Sequence, residues 1–432
     1  MPGFVDEVSQ GVVRGWYVAD DGRQSRACQS VVISVNGEER FCALCQDARP
    51  DVVEAGITRE GNVGFLAPLA LQVGDLVRVR ALESGQLLGG GLAVVMPPGA
   101  EDGFLTARPS AELPAFQSLL QPLRPHLTIN AFRPLFGHRG KLSALCIDTP
   151  AGRRVVHAQR PLRNALWLER LHRRVLEPSG IAAPSLEAVL VHGETVSLVV
   201  EHIEGQALDG FTGDNEQAFR DTLAAALRLP SVRWVTGMGG DRRGRRAFGK
   251  LISGVCLAAL KRQHWRELRL LLGMARAVHR LPRVFSHGDL HPQNVLIESR
   301  TGRPVFIDWD HADRLPVGFD LSRLLMSVPP VLAERWIDES PEAGMGRGTQ
   351  ASRACRLGWL ILTYFAHSQR NPDFHATEEG TYLRRRFIEV SSSMKTETAF
   401  QLRSRLLPMI ALYLSNDGVE PVLSLLHFSR WV

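Results

Sequence analysis

The sequence predicts a multidomain fold, in which an N-terminal all-β sandwich precedes a C-terminal α+β part made of two lobes. The chain has 432 residues, which is more than one hydrophobic core normally organises. Short runs that alternate apolar and polar residues, or are rich in β-branched residues, fill the first 95 positions. A second group of strand-like runs lies between 127 and 205, and helical patterns replace it after Gly205.

Composition and charge narrow the class of protein. Hydrophobic residues make up 44% of the chain and charged residues 22%, as in folded globular proteins. The net charge of +6 favours anionic ligands only mildly, so we predict no nucleic-acid partner. The first residues lack a signal-peptide pattern, and no apolar run approaches the length of a membrane span. We therefore expect a cytoplasmic protein without a transmembrane segment.

Residues 1–95 are predicted to form the all-β module, from runs such as SVVISVNG, RFCALC and DLVRVRALE. The Pro- and Gly-rich segment 96–115 has no hydrophobic period and is predicted to be a linker. Cys42 and Cys45 form a CxxC pair inside a strand pattern. Because no second Cys/His pair follows at zinc-finger spacing, ordinary strand thiols are favoured over zinc.

Residues 116–205 are predicted to form a sheet-rich lobe. The runs LTINAFRPL, LSALCIDT and RRVVHAQR indicate a meander. The run RNALWLERLHRRVLE predicts a helix, which Pro178 and Gly180 end, and AVLVHGETVSLVVEHIEG predicts a closing hairpin that completes a five-stranded sheet. Residues 206–432 are predicted to form a helical lobe, with helices in EQAFRDTLAAALRL, HWRELRLLLGMARAVHRL, ACRLGWLILTYFAHS and AFQLRSRLLPMIALYLS.

One stretch of the helical lobe carries the chemistry. The runs SHGDLHPQNVLI and VFIDWD, separated by a turn, predict a β-hairpin that brings Asn294 together with Asp308 in the strand end 305–310. Asp289 lies on the preceding loop 287–294. A carboxylate beside a carboxamide suits Mg²⁺, which takes oxygen ligands and often shares them with substrate phosphates. A separate carboxylate can orient an acceptor hydroxyl and take its proton, as in phosphoryl transfer.

A zinc site is the rival interpretation of this stretch, because His287 and His291 are four residues apart. The zinc-protease signature needs a glutamate directly after the first histidine and a continuous helix. Here Gly288 follows the first histidine and Pro292 interrupts the helix. The sequence therefore favours a non-helical loop over a zinc helix.

The motif HGDLHPQN followed by FIDWDHADRLPVGFDLSRLL resembles the aminoglycoside phosphotransferase and choline kinase-like family. These proteins are relatives of protein kinases and phosphorylate hydroxyls of small molecules. The resemblance covers about residues 125–430 and implies a bilobal protein-kinase-like fold with ATP as co-substrate. It implies that Asp289 is the catalytic base, that Asn294 and Asp308 hold Mg²⁺, and that Asp320 is structural.

The same resemblance implies a nucleotide site in the first lobe. Gly137 and Gly140, in the turn FGHRGK, correspond to the turn that approaches the nucleotide phosphates, although two glycines in a hairpin are also ordinary turn residues. Glu201 and Ile203, in LVVEHIEG, correspond to the connection between lobes, where backbone groups meet the adenine.

The chain departs from the family at its third strand. The run RRVVHAQRP has no lysine, so Arg160 is the candidate for the missing positive charge. Glu169, on the next helix, resembles the acid that pairs with such a cation, and an ordinary surface glutamate is the alternative. This departure leaves two functions open: a kinase, favoured by the complete set of Asp289, Asn294 and Asp308, and a pseudokinase scaffold, favoured by the missing lysine.

The front module has a resemblance of its own. The pairs Gly15-Trp16 and Gly64-Phe65, with the run RPD, resemble a β-sandwich module attached to bacterial glycan-biosynthesis enzymes. This implies glycan-assembly proteins as partners of residues 1–95, a small-molecule or glycan-precursor hydroxyl as acceptor, and a peripheral place at the inner membrane as an alternative to free cytoplasm.

Overall fold

The protein is described from a computed structural model, which defines residues 3–18, 29–59, 61–97, 104–106, 114–136, 142–193, 195–233, 282–339 and 376–393. The chain divides into two compact units. Unit 1 contains Met1–Ala165 and Leu186–His202, and unit 2 contains Leu166–Ser185 and Ile203–Val432. The predicted helices that begin at 264, 354 and 399, and the glycines Gly137 and Gly140, lie outside the described residues.

The N-terminal part of unit 1 is an eight-stranded sheet. Its strands are β1 (Gly3–Val8), β2 (Val12–Tyr17), β3 (Ser30–Val35), β4 (Glu38–Leu44), β5 (Asp47–Ala48), β6 (Asn62–Pro68), β7 (Leu76–Ala81) and β8 (Leu87–Val94). The strand order is β4-β3-β7-β8-β1-β2-β6-β5, and the short helix α1 (Pro50–Glu54) precedes β6. The predicted β-rich front region is therefore present.

Alternating side chains explain why these residues form strands. Val31 and Ile33 of β3 and Val13 and Phe65 from β2 and β6 are buried in one core cluster. The β3–β4 turn is the Asn-Gly pair at 36 and 37, and both residues have positive φ, as the type I′ hairpin requires. Cys45 is also buried in this core, where burial raises the pKa of its thiol to about 12.

The second sheet of unit 1 has six strands. They are β9 (Leu105–Thr106), β10 (Ala131–Phe136), β11 (Leu142–Thr149), β12 (Gly152–Pro161), β13 (Leu186–His192) and β14 (Thr195–Glu201), in the order β13-β14-β12-β11-β10-β9. The five predicted strands are all present. The sixth, β9, arises within the predicted linker and pairs with β10, because Leu105 is buried in the core of this sheet. A two-residue strand is too short to show a period.

The two sheets of unit 1 share apolar contacts. Val73 and Val94, from the front region, and Met96 pack against a cluster that contains Phe116 and Phe132. The helix α2 (Pro114–Leu120) supplies Phe116. Residues 1–95 are thus in contact with the part of the chain that the sequence analysis treats as a separate lobe.

This contact predicts a loss of stability. The double substitution of Val73 and Val94 by alanine should lower the free energy of unfolding by about 2 kcal/mol, because each truncation removes roughly one to two buried methylene equivalents. Thermal unfolding of the full chain measures the effect. Val191→Ala is the matched control, since Val191 lies in β13 and is 56% exposed. An equal effect of control and double variant would contradict the packing described here.

A helical segment follows β12. The helix α3 (Leu162–Leu171) continues through a π-helical turn at His172–Leu176 into the short helix α4 (Glu177–Ser179). Gly180 ends it in the left-handed conformation, with φ of 66°. The predicted helix and its stop are both confirmed.

Unit 2 combines two small sheets with helices. The strands β15 (Gly205–Ala207), β17 (Val295–Glu298) and β18 (Pro304–Phe306) form one sheet, and β16 (Arg283–Ser286) pairs with β19 (Asp313–Pro316). From Ile203 onward, the described α-helices of unit 2 are α5 (Glu216–Ala226), α6 (Phe319–Leu325), α7 (Pro330–Glu339) and α8 (Glu378–Ser393). None of the helices in the described ranges is long and apolar enough to cross a membrane.

Candidate active site

The site is built on two hairpin-like pairs of strands in unit 2. The loop 287–294 leaves β16 and ends in a single 3₁₀ turn, Pro292–Asn294, from which β17 starts. The strands β17 and β18 pair antiparallel, with Val295 opposite Phe306. The predicted hairpin is therefore present, and it places the start of one strand beside the end of the other.

Gly288 is required at its position for two physical reasons. Its φ of 83° lies in the left-handed region, which residues with a side chain rarely adopt. A Cβ atom there would also lie 2.0 Å from the carbonyl oxygen of His311. The loop can approach His311 this closely only because residue 288, directly before Asp289, is a glycine.

Asp320 holds the loop from the first turn of α6. Its two carboxylate oxygens accept hydrogen bonds from the backbone amides of His287, at 2.7 Å, and Gly288, at 2.9 Å. Asp320 is buried, and burial raises the pKa of its carboxyl from 3.8 to about 6, although the two amides oppose the shift. The structural role that the resemblance implies for Asp320 agrees with these contacts.

His287 is a neutral structural histidine. Its ring is completely buried, and burial lowers its pKa to about 4. The Nε2 atom lies 2.8 Å from the carbonyl oxygen of Ile307, and Nδ1 accepts from the amide of Asp289 at 3.4 Å. These contacts fix the tautomer with the proton on Nε2. His287 therefore connects the loop to the residue before Asp308.

Trp309 packs behind the loop. It is buried, its indole nitrogen donates to the carbonyl oxygen of Phe306 at 2.9 Å, and its ring centroid lies 4.5 Å from that of His287. The ring of Phe285 is nearly parallel to that of Trp309, with the two ring centroids 5.9 Å apart. Trp309 is a packing residue that keeps the loop and the hairpin together.

Asn294 and Asp308 are brought to neighbouring positions by the hairpin. The amide of Ile307 donates to the carbonyl oxygen of Asn294 at 3.0 Å, and Asn294 Nδ2 donates to the carbonyl oxygen of Asp289 at 2.9 Å. Since Nδ2 is engaged, the amide oxygen Oδ1 is the atom of Asn294 that suits a cation. Asp308 has φ of 60°, a strained conformation for a residue other than glycine. One carboxylate and one amide oxygen fit Mg²⁺, which completes its coordination with water and phosphate oxygens.

Asp289 is partly exposed and has a cationic partner. Its Oδ1 accepts a hydrogen bond from Arg323 Nη2, and its Oδ2 lies 3.8 Å from His291 Nε2. Arg323 was missed by the sequence analysis. It lies on α6, three residues after Asp320, so the same helix that anchors the loop also contacts its carboxylate.

The other predicted residues lie on other elements of the chain. Arg160 is in β12, opposite Val196 of β14. Glu169 forms an ion pair at 3.2 Å with Arg173, four residues later on the same helical segment, which agrees with the surface-glutamate alternative. Glu201 ends β14 in unit 1, and Ile203 begins the second segment of unit 2. Their assignment to a nucleotide site stays a prediction.

Comparisons with known proteins give one family match and several solved structures that align with part of the chain. Residues 144–355 match the model of the phosphotransferase enzyme family. A search among curated proteins found no match.

Three of the solved structures that align with this chain have TM-scores between 0.41 and 0.43. An aminoglycoside phosphotransferase from Streptomyces rimosus, in complex with ADP and streptomycin, is 19% identical, with 57% of this chain and 98% of that chain covered and a TM-score of 0.41. A choline kinase from Streptococcus pneumoniae is 16% identical, with 64% of this chain and 98% of that chain covered and a TM-score of 0.42. A macrolide 2'-phosphotransferase of type I is 18% identical, with 66% of this chain and 99% of that chain covered and a TM-score of 0.43.

Proposed function

We propose that the chain is a phosphotransferase with an alcohol group as acceptor, because residues 144–355 match the model of the phosphotransferase enzyme family, and that its donor is ATP and its metal is Mg²⁺. The acceptor we propose is the hydroxyl of a small molecule or of a glycan precursor. The observation that carries the proposal is the arrangement of Asp289, Asn294 and Asp308 around one loop and one hairpin.

The roles follow from the chemistry of these groups. Asn294 and Asp308 would hold Mg²⁺, which neutralises phosphate charge when it is bound. Asp289 orients the acceptor hydroxyl and takes its proton as the acceptor oxygen forms a bond to the γ-phosphorus. The bond from the γ-phosphorus to the bridging oxygen breaks at the same time, and ADP leaves with that electron pair. Asp320 and His287 keep the loop in place without touching the reacting atoms.

A nucleotide site in the first lobe completes this proposal. We assign Gly137, Gly140 and Arg160 to the phosphates, and Glu201 with Ile203 to the adenine. Glu169 is the proposed partner of a cation at the phosphates, although its observed partner is Arg173. Support for these assignments comes from the order of strands β10, β11, β12 and β14 along the chain.

Residues 1–95 are proposed to be a β-sandwich accessory module. Support comes from the core cluster to which strands from both ends of the eight-strand order contribute, among them β3, β6 and β7. Through this module the protein would contact glycan-assembly proteins, in the cytoplasm or at the inner membrane.

The alternative function is a pseudokinase that binds nucleotide as a scaffold. It is favoured by the absence of a lysine from β12, whose sequence is GRRVVHAQRP. Incubation with ATP labelled at the γ-phosphate separates the two functions. An enzyme should transfer label to a member of a hydroxyl panel and should lose transfer in Asp289→Asn. ATP binding without any release of ADP would support the scaffold.

Asp320→Asn should lower turnover about tenfold at neutral pH, because an asparagine offers one acceptor oxygen to two amides and each charge-assisted bond contributes about 1.5–3 kcal/mol.

The pKa of Asp320 is raised in the folded protein, so folding favours the protonated form of this carboxyl. Its contribution to stability is therefore full below pH 3.8 and is lost as the pH rises through about 6.

The pH profile of kcat/KM tests this role. As the pH falls through about 6, Asp320 protonates, loses its charge-assisted bonds to the loop, and the wild-type rate should approach that of Asp320→Asn. Asp221→Asn, on the exposed side of α5, is the control. If the ratio of kcat/KM between wild type and Asp320→Asn were constant between pH 5 and 8, Asp320 would not be a positioning residue.

A further inference from the structure

The proposed catalytic base is already paired with a cation. Arg323 Nη2 donates a hydrogen bond to Asp289 Oδ1, and each of the two side chains is 26% exposed. The other carboxylate oxygen, Oδ2, lies 3.8 Å from His291 Nε2. The carboxylate and the guanidinium therefore reach the surface together, and the carboxylate is not available as the sole counter-ion of a cationic acceptor.

The position of Arg323 is fixed by the helix that carries it. Its neighbours Leu321, Leu324 and Leu325 are buried, and Asp320 of the same helix binds the backbone of the loop. The Nε atom of Arg323 is buried and has no hydrogen-bond partner among the described residues. The helix thus holds the guanidinium beside Asp289.

This geometry places a positive charge next to the reacting hydroxyl. A hydroxyl that gives its proton to Asp289 must come within about 3 Å of a carboxylate oxygen. A substituent on the adjacent carbon then lies within a few ångströms of the guanidinium. In a partly buried site an ammonium at that distance is repelled, whereas a carboxylate or phosphate matches the planar fork of an arginine.

We propose that Arg323 is a specificity-determining residue that makes the site favour a hydroxyl next to an anionic group over a hydroxyl next to an ammonium. The inference rests on the proposed function, because it takes Asp289 as the group that receives the acceptor proton. The inference specifies the substrate class that the family match leaves open. The acceptors are hydroxyl compounds that carry an anionic group, a carboxylate or a phosphate, which the guanidinium of Arg323 would bind.

Small matched probes test the proposal on the full chain with ATP and Mg²⁺. The probes are ethylene glycol, ethanolamine, glycolate and glycerol 3-phosphate, which differ in the charge beside the hydroxyl. Phosphorylated product is quantified by ³¹P NMR. Wild type should show a kcat/KM for the better anionic probe at least about tenfold above that for ethanolamine. Which anion is better distinguishes carboxylate from phosphate recognition.

The variants test whether Arg323 causes the preference. In Arg323→Gln the ratio should fall below about threefold, and Arg323→Lys should retain a preference for anions. A ratio cancels any general loss of turnover caused by disturbing Asp289. Arg335→Gln, an exposed arginine on α7, should leave the ratio unchanged.

Two kinds of result are distinguishable. Three results would overturn this inference and leave the proposed function standing. They are a wild-type ratio of kcat/KM, anionic probe over ethanolamine, that is near one, a ratio that Arg323→Gln leaves unchanged, and hydrolysis of ATP to ADP with no probe phosphorylated. Absence of both ADP release and ATP binding would instead overturn the proposed function, and the inference with it.

Discussion

Asp289→Asn should reduce kcat about a thousandfold, the middle of the range that a positioned general base contributes. Asparagine keeps the shape of the side chain and a partner for Arg323, but it cannot accept a proton at neutral pH. The backbone contacts of residue 289 with Asn294 and His287 should persist, because they use its carbonyl oxygen and amide. The affinity for ATP should therefore change by no more than about twofold.

Steady-state turnover and nucleotide binding, measured on the same preparation, check this prediction. Asp221→Asn makes the same chemical change on α5 and should have no effect on either quantity. Survival of a demonstrated transfer activity in Asp289→Asn, at more than about a tenth of the wild-type rate, would show that another group is the base.

Asp308→Asn should raise the Mg²⁺ concentration needed for half-maximal turnover by about tenfold or more, because the variant loses the only charged ligand of the proposed pair. Asparagine is the appropriate substitution because it tolerates the left-handed conformation in which Asp308 is held, at φ of 60°. The backbone strain is thus conserved while the charge is removed.

Titration of turnover with Mg²⁺ measures the effect. Asp310→Asn removes the same charge two residues later and serves as the control for a general electrostatic change. A metal requirement that is equal in the two variants would remove Asp308 from the ligand set. If Asp308→Asn also unfolded earlier than Asp310→Asn, the titration would be repeated at the highest temperature at which both are folded.

Local patterns explain which parts of the structure the sequence predicts. The hairpin of β17 and β18, the glycine before Asp289 and the stop at Gly180 each depend on a few consecutive residues, so their signals are complete within a short window. The strands of both large sheets follow from side-chain alternation. These are the parts in which sequence and structure agree.

Contacts between distant positions explain what the sequence does not predict. Arg323 contacts a carboxylate 34 residues earlier, and its position depends on how α6 packs. The strand β9 exists because Leu105 enters a core formed by residues far along the chain. The contact of Val73 and Val94 with that core likewise has no local pattern. Each case depends on tertiary packing, which a single sequence window does not encode.

Binding of ATP tests most directly whether the loop and hairpin of unit 2 form a metal-dependent phosphate site. Calorimetry of the full-length wild type, with and without Mg²⁺, should show binding that depends on the metal and is weakened in Asp308→Asn but not in Asp310→Asn. No binding of ATP under either condition, or binding that is equally tight with and without Mg²⁺ in all three proteins, would contradict the account.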